Sequence, residues 1–400
     1  MRILVQKFGG TSLASLEARK QAIKKIQAGR ASGFQIAAVF SAVGRSPDPY
    51  ATDTLLGLLS RDSSPVLKDL LSSCGEIISC ALMGELFEEF EISYEIFPFE
   101  KIGVVTDEQY GNAEVLEVNT TQIFKVLEEG KVAVVPGFQG ISQKGRMTTL
   151  GRGGSDITAC ALGSALKAER IEIYKDVDGV FSADPRVVSN PQILSEMSYQ
   201  EVGEMAYQGA KVLHPKAVSF AMETEIPIRV ISHFTDHPGT EIKAESAKLG
   251  ASIIGIAHIP GMSYVQVKIQ GDLENARHKL FQDFAENGIS LDLITVDQDG
   301  VYFIIEKDKT KRAETLLVKN QWKFAIENGF AKVSIVGAGM RGKPGVMFGV
   351  VDALYQAGIK LYHSTDSHIT IACLVKEADM EKSVRVLHEK FIERELKPPS

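Results

Sequence analysis

The chain has little cysteine, one tryptophan and no surplus of positive charge. Its four cysteines, Cys74, Cys80, Cys160 and Cys373, form no C-x-x-C pair and sit in apolar runs. That pattern excludes a disulfide scaffold and fits buried free thiols in a reducing cytosol. With 44 Lys+Arg against 51 Asp+Glu, the formal net charge is −7. A general affinity for nucleic acid is therefore not expected. No apolar run reaches the length expected of a membrane span. The opening residues Met1-Arg2-Ile3-Leu4-Val5 read directly as a strand, too brief for a secretory leader, so the expected location is the cytoplasm. The Walker A pattern G-x-x-x-x-G-K-[ST] is also absent.

What the chain has instead is a series of small-residue turns, each following an apolar strand. An apolar content of 44% and a charged content of 24% are ordinary for a globular protein, and 400 residues allow two or three domains. The most distinctive turn is Thr148-Thr149-Leu150-Gly151-Arg152-Gly153-Gly154-Ser155-Asp156, between a strand-like run at 132–135 and a helix-like run at 157–166. Its glycines permit positive φ and close approach of a ligand to peptide N–H groups. Ser155 and Asp156 stand where the helix would be capped. Free N–H groups at a helix start attract anions, and the Arg152 fork suits a carboxylate or a phosphate. From this stretch alone, a Gly-rich βα turn with an incidental arginine reads equally well.

The other turns break that tie. The strand at 3–5 runs into Lys7-Phe8-Gly9-Gly10-Thr11-Ser12 and a helix that Ser15 could cap. Lys7 stands at a strand's end, within reach of a transferring phosphate, unless it is merely solvated. The strand at 36–40 is followed by Ser41-Ala42-Val43-Gly44, and Thr52 and Asp53 lead into a helix. Glu76 lies in an apolar helix and calls for a partner. That partner is a lysine such as Lys7 or a cationic group of a substrate, unless Glu76 faces water. Pro136-Gly137-Phe138-Gln139-Gly140 ends the strand at 132–135. The strand at 171–174 ends in Lys175-Asp176-Val177-Asp178-Gly179-Val180, with Ala183-Asp184-Pro185-Arg186 beyond it and Gly209-Ala210-Lys211-Val212-Leu213-His214-Pro215 further on. Strands alternating with helices predict a parallel α/β sheet, in which ligands bind at the carboxyl ends of the strands.

Composition turns polar around 236–251, where a domain boundary is expected. Beyond it the order β-α-β-β-α-β, ferredoxin-like, occurs once in full and then begins again from 333 without reaching a sixth element. The strand at 253–257 has no role in the first repeat. It is expected to supply the edge strand the second repeat lacks, which would place the first repeat inside the second. His363, Asp366 and His368 show no fourth ligand and read as a turn between strands, so no metal site is expected there.

Taken in order, the 7–12, 41–44, 75–76, 137–140, 149–156, 176–180, 184–186 and 211–215 motifs resemble the aspartokinases of the amino acid kinase family, with two tandem ACT repeats behind them. The loop Ser46-Pro47-Asp48-Pro49-Tyr50-Ala51-Thr52-Asp53 is most similar to diaminopimelate-sensitive enzymes of Gram-positive bacteria. The resemblance implies a three-layer αβα kinase domain with a parallel-rich sheet at 1–245, followed by two α+β ferredoxin-like ACT domains. A linker at 246–262 would contain the strand at 253–258, and the ACT domains would span 263–329 and 330–400. It implies phosphorylation of the L-aspartate β-carboxylate by Mg-ATP, the first step towards diaminopimelate, lysine, threonine and methionine. An ionised carboxylate is already a nucleophile, so no catalytic base is required.

By the resemblance, Lys7, Glu76 and Asp156 are the catalytic residues. Lys7, Gly9, Gly10, Ser41, Lys175, Asp176, Asp178, Asp184, Arg186 and Lys211 hold ATP, whose phosphates carry Mg²⁺. Lys175, where the family commonly has Thr or Ser, would touch phosphate or ribose or else be solvated. Thr52, Glu76, Arg152, Gly153, Ser155 and Asp156 form the aspartate side. Asp272, Ser290 and Asp292 are candidates for an amino-acid effector: diaminopimelate, lysine or threonine. A homodimer or larger assembly through the ACT repeats is expected, with no nucleic-acid or membrane partner. The rivals are a kinase for glutamate, acetylglutamate or UMP, and a silent sensor retaining only the ACT function.

Overall fold

The structure, a computed structural model, describes residues 1–98, 101–210, 213–244, 253–269, 273–340 and 342–393. Ile3–Phe8 lies inside an eight-stranded sheet. On one side follow Gln35–Phe40, Val132–Pro136 and Tyr94–Ile96. On the other follow Arg170–Lys175, Ile228–Ser232, Thr240–Lys243 and Glu196–Ser198. All neighbours are parallel except Ile228–Ser232 with Thr240–Lys243. The central strands are covered on both faces, which is why they read as nearly continuous apolar runs.

Side chains alternate across a strand. Leu4, Phe8 and Tyr174 therefore enter one core, shared with Ile23 and Ile26 of the helix Leu16–Ala31 and with Met83 and Phe87 of the helix Cys74–Glu89. Val5, Lys7, Ile173 and Lys175 take the opposite face by the same alternation. The helix Gly154–Leu166 packs there, and its Gly163 is needed for the close approach. A Cβ on Gly163 would lie 2.5 Å from the Ile171 side chain. The result is the expected three-layer αβα domain. A smaller four-stranded sheet, ordered Val115–Val118, Val104–Thr106, Gln139–Ser142, Met147–Thr149, ends at the Gly-rich loop.

Pro65–Glu89 is long and apolar enough to cross a membrane. It is nevertheless a core element, with Cys80, Met83, Leu86 and Phe87 packed beside Val132 and Val134. Its buried side chains account for much of that apolarity, whereas Leu67, Leu70 and Ile77 are exposed.

The chain divides into two compact units that differ from a simple cut near 245. The first comprises Met1–Val180, Ile193–Ala206 and Lys211–Lys248. The second comprises Phe181–Gln192, Tyr207–Ala210 and Leu249–Ser400. In the second unit a six-stranded antiparallel sheet runs Asp292–Asp297, Gly300–Glu306, Gly255–Lys268, Lys323–Val336, Thr370–Lys376, His363–Asp366. Its two long strands pair along their length, broken by an irregularity between Ile259 and Met262. Gly255, Ile256 and Ala257 pair with Val336, Ile335 and Ser334, the opening strand of the second repeat. The strand expected at 253–257 and the one expected from 333 are thus each part of a longer strand, Gly255–Lys268 and Lys323–Val336, that serves both repeats.

One core holds Val265, Phe284, Phe303 and Leu317. Another holds Ile256, Val333, Leu354, Cys373 and Leu387, and it also takes in Ala183 and Val188 from the segment Phe181–Gln192. That segment is tied in by polar contacts as well. Ile256 N donates to Ser182 O at 2.7 Å, and Ser182 Oγ lies 2.8 Å from His388 Nε2.

Candidate active site

The first strand ends at Lys7 and Phe8, and Gly9 leads into a single 3-10 turn, Gly10–Ser12. The leading N–H groups of such a turn have no partner within it. Gly10 lies against the turn after the second strand, because a Cβ there would be 2.3 Å from Gly44 O and 2.8 Å from Ala42 O. Gly44 N donates to Gly10 O at 2.9 Å. Ser41 sits in that second turn, its carbonyl accepting from Ser79 Oγ at 2.6 Å.

Lys7 finds its partner in Asp156, at 2.7 Å, and not in Glu76. The other Asp156 oxygen is 3.3 Å from Lys175 Nζ. The three side chains are 9%, 7% and 19% exposed, for Lys7, Asp156 and Lys175 respectively. Burial would raise the Asp156 pKa, but the Lys175 and Lys7 ammoniums outweigh it and hold the carboxyl at about 2. Burial pulls Lys175 below its ordinary value, and Asp156 opposes that pull. Lys175 is therefore an ion-paired residue of the site rather than a solvated one.

Glu76 opens the first turn of Cys74–Glu89 and is 2% exposed. Its Oε1 accepts from Ala42 N at 3.1 Å, while Oε2 is buried with no hydrogen-bond partner among the described residues. Burial pushes its carboxyl up to about 8, moderated by the Ala42 N–H and by Lys7.

The Gly-rich loop is anchored by a residue that sequence reasoning did not single out. Asp69, on the helix Pro65–Ser72, accepts from Thr149 N at 2.8 Å, Thr149 Oγ1 at 2.9 Å and Gly111 N at 2.9 Å. Its signal was a lone acid in an apolar helix, the same anomaly that marked Glu76. Gly153, with φ 72°, caps the following helix. Ser155 and Asp156 are not the caps expected. They lie in the first turn with buried side chains, Asp156 being drawn inward by the two ammoniums. Gly153 also lies close to His214, whose Cβ would be 2.7 Å from a Cβ on that glycine. His214 caps the helix Pro215–Thr224, its Nδ1 accepting from Lys216 N at 3.3 Å. Arg152 is exposed and makes no hydrogen bond or ion pair among the described residues. Thr52 lines a cleft of about 420 Å³ with Gly44, Arg45, Ser46, Ala51 and Asp53.

Asp176 pairs with Arg45 at 3.0 Å, and Asp178 accepts from Thr235 Oγ1. Asp184 and Arg186 pair with each other at 2.6 Å and belong to the second unit. Lys211 lies outside the described residues. Among the effector candidates, Asp272 also lies outside them, Ser290 is exposed, and Asp292 pairs with the buried Lys332. A second cavity, about 470 Å³, lies in the second repeat and is lined by Met340, Lys343, Val346, Asp366 and His368 among others. His363 is hydrogen-bonded to Thr295 at 3.0 Å instead. Among the described residues no group of three His, Cys, Asp or Glu is placed to hold a metal.

Residues 2–232 match the model of the amino acid kinase family, and 325–389 match an ACT domain. The chain is 40% identical to aspartokinase 1 of Bacillus subtilis, over 98% of this chain and 99% of that protein. It is 38% identical to the aspartokinase of Geobacillus stearothermophilus, over 98% and 97% respectively. Among solved structures it resembles E. coli aspartokinase III in complex with aspartate and ADP, with a TM-score of 0.84 and 27% identity, over 97% of this chain and 99% of that one. The same enzyme in complex with lysine and aspartate gives a TM-score of 0.75 at 27% identity, over 98% and 99%.

Proposed function

The chain belongs to the aspartokinases of the amino acid kinase family, and from that premise we propose how its residues carry the reaction. It is an aspartate kinase, moving the γ-phosphoryl group of ATP to the β-carboxylate of L-aspartate to give 4-phospho-L-aspartate. The aspartate oxygen forms a bond to the γ-phosphorus. The bond from that phosphorus to the β–γ bridging oxygen breaks, and ADP leaves with the electron pair. No proton moves in the bond-forming step, so the work is positioning and neutralisation of charge.

In this assignment Lys7, with the amides of Gly9 and Gly10, neutralises the transferring oxygens, and Asp156 orients Lys7. Arg152 clamps a carboxylate of aspartate, aided by Gly153 and Ser155, and Thr52 lines its pocket. Glu76 receives the aspartate ammonium on its unpaired Oε2. That buried orphan oxygen is the observation that carries the substrate assignment, since an acid so placed needs a cation to complete it. Ser41, Asp176, Asp178 and Lys211 are assigned to the nucleotide. Mg²⁺ is held through ATP phosphates and waters rather than a protein cage.

For regulation we take 1–245 as the catalytic region, except that Phe181–Gln192 and Tyr207–Ala210 belong to the second compact unit. The regions 263–329 and 330–400 are taken as ACT repeats, with 253–258 in the second. An amino-acid effector is proposed for the regulatory unit, with Ser290 and Asp292 as contacts. A cytoplasmic homodimer or larger assembly completes the reading.

The test is ADP release from Mg-ATP, coupled to NADH oxidation, with aspartate, glutamate, acetylglutamate or UMP as acceptor. Aspartate alone should support turnover, and Lys7→Ala should lower kcat about 100-fold or more while the circular dichroism spectrum is retained. The absence of aspartate-dependent ADP would sink the reading.

A further inference from the structure

We propose that Lys175 is the standing counter-ion of Asp156, a positioning residue whose charge lets Lys7 leave Asp156 for the transferring phosphoryl group. The inference rests on the aspartate kinase reading and deepens it. It assigns Lys175 to the carboxylate rather than to the nucleotide.

The argument begins with strand geometry. Ile3–Phe8 and Arg170–Lys175 are adjacent and parallel, with Lys7 opposite Ile173 and Phe8 opposite Tyr174. Lys7 and Lys175 are therefore two positions apart in register, at the same sheet end and on the same face. Asp156 enters from the first turn of Gly154–Leu166, which covers that face. The two carboxylate oxygens are divided between the lysines, Oδ1 at 2.7 Å from Lys7 and Oδ2 at 3.3 Å from Lys175.

Charge then decides the roles. Phosphoryl oxygens entering beside Lys7 compete with Asp156 for its ammonium. If Lys7 turned to them with no second cation present, a carboxylate 7% exposed would be left unpaired beside an incoming anion. That is costly both as desolvation and as repulsion. Lys175 removes the difficulty, because it pairs with the other oxygen and need not move. The carboxylate stays neutralised throughout, and Lys7 is aimed from a fixed support. Lys175 takes part in no covalent step, so bonds and protons balance as in the transfer described above.

The experiment compares steady-state kinetics of wild type, Lys175→Met, Lys175→Thr and Lys175→Arg, each as the full chain with its thermal melt recorded. Methionine keeps the length and removes the charge. Threonine is smaller and serves if the methionine variant melts early. The neutral variants should lose about tenfold or more in kcat while KM for ATP and for aspartate stays within about threefold, and arginine should restore most of the loss. In an Asp156→Asn background the Lys175→Met change should cost no more than about twofold, since no charge remains to be balanced. Three results would overturn the proposal: unchanged kcat in both neutral variants, a raised KM for ATP with kcat retained, or an undiminished loss in the Asp156→Asn background. A wild type that fails to release ADP with aspartate would instead refute the underlying reading, so the two failures are told apart by the first measurement.

Discussion

Glu76 is the residue whose environment has the plainest chemical consequence. Its carboxyl is held at about 8 by burial, against an ordinary 4.5. A substrate ammonium seated on Oε2 favours the ionised form. Aspartate should therefore bind more tightly as pH rises towards 8, and its KM should fall over that interval. Glu76→Gln cannot ionise, and it should raise KM for aspartate about tenfold or more and flatten the pH dependence. A KM for aspartate that is independent of pH in the wild type would contradict this. The same shift has a stability sign. A raised folded-state pKa means that the native protein binds the proton more tightly than the unfolded chain does. Stability therefore falls from near pH 4.5 to about 8. Urea denaturation across that range should show the fall in the wild type and a smaller one in Glu76→Gln.

At the scale of elements, the site depends on two strand-end turns locked together at Gly10. A Cβ at that position meets backbone oxygens of Ala42 and Gly44, which cannot swing aside as a side-chain tip can. Gly10→Ala should lower stability by about 1–3 kcal/mol and reduce kcat, as measured by denaturant midpoint and by ADP release. Much of this was legible in the sequence. Strand-end turns, small residues and odd carboxylates marked Lys7, Gly10, Glu76 and Arg152, because those features break a local pattern. The pairing of Asp156 with both lysines was not legible, since it depends on which two strands become neighbours. Nor was the anchoring role of Asp69, whose partner Thr149 lies on a different element. Residue type marks Ser155 and Asp156 as caps, but Gly153 takes the cap position in the left-handed region and the two ammoniums draw Asp156 inward. The continuity of Gly255–Lys268 is not legible in the sequence, because the strand carries Pro260 and Gly261 through an irregularity between Ile259 and Met262.

Across the whole molecule, sequence and packing divide the chain at different places. The family model runs through 232, yet Phe181–Gln192 is built into the second unit, with Ala183 and Val188 in its core. A chain ending at 245 should keep those apolar side chains without the core they fill. It should bind hydrophobic dye more strongly and scatter more light than the full chain. A monodisperse, fully active 1–245 product would contradict that. The long shared strands carry a parallel consequence for the second unit, whose two repeats should exchange amide hydrogens as one cooperative body rather than two.

Such a layout also bears on heredity. Two halves joined by a plain linker can be swapped between genes like beads on a string. Here a donor regulatory half would meet a segment encoded well upstream, inside the catalytic half, and would have to match it residue for residue at Ser182, Ala183 and Val188. Exchange by recombination at the apparent junction should therefore yield ill-fitting hybrids, and the two halves are expected to change over generations as a matched pair.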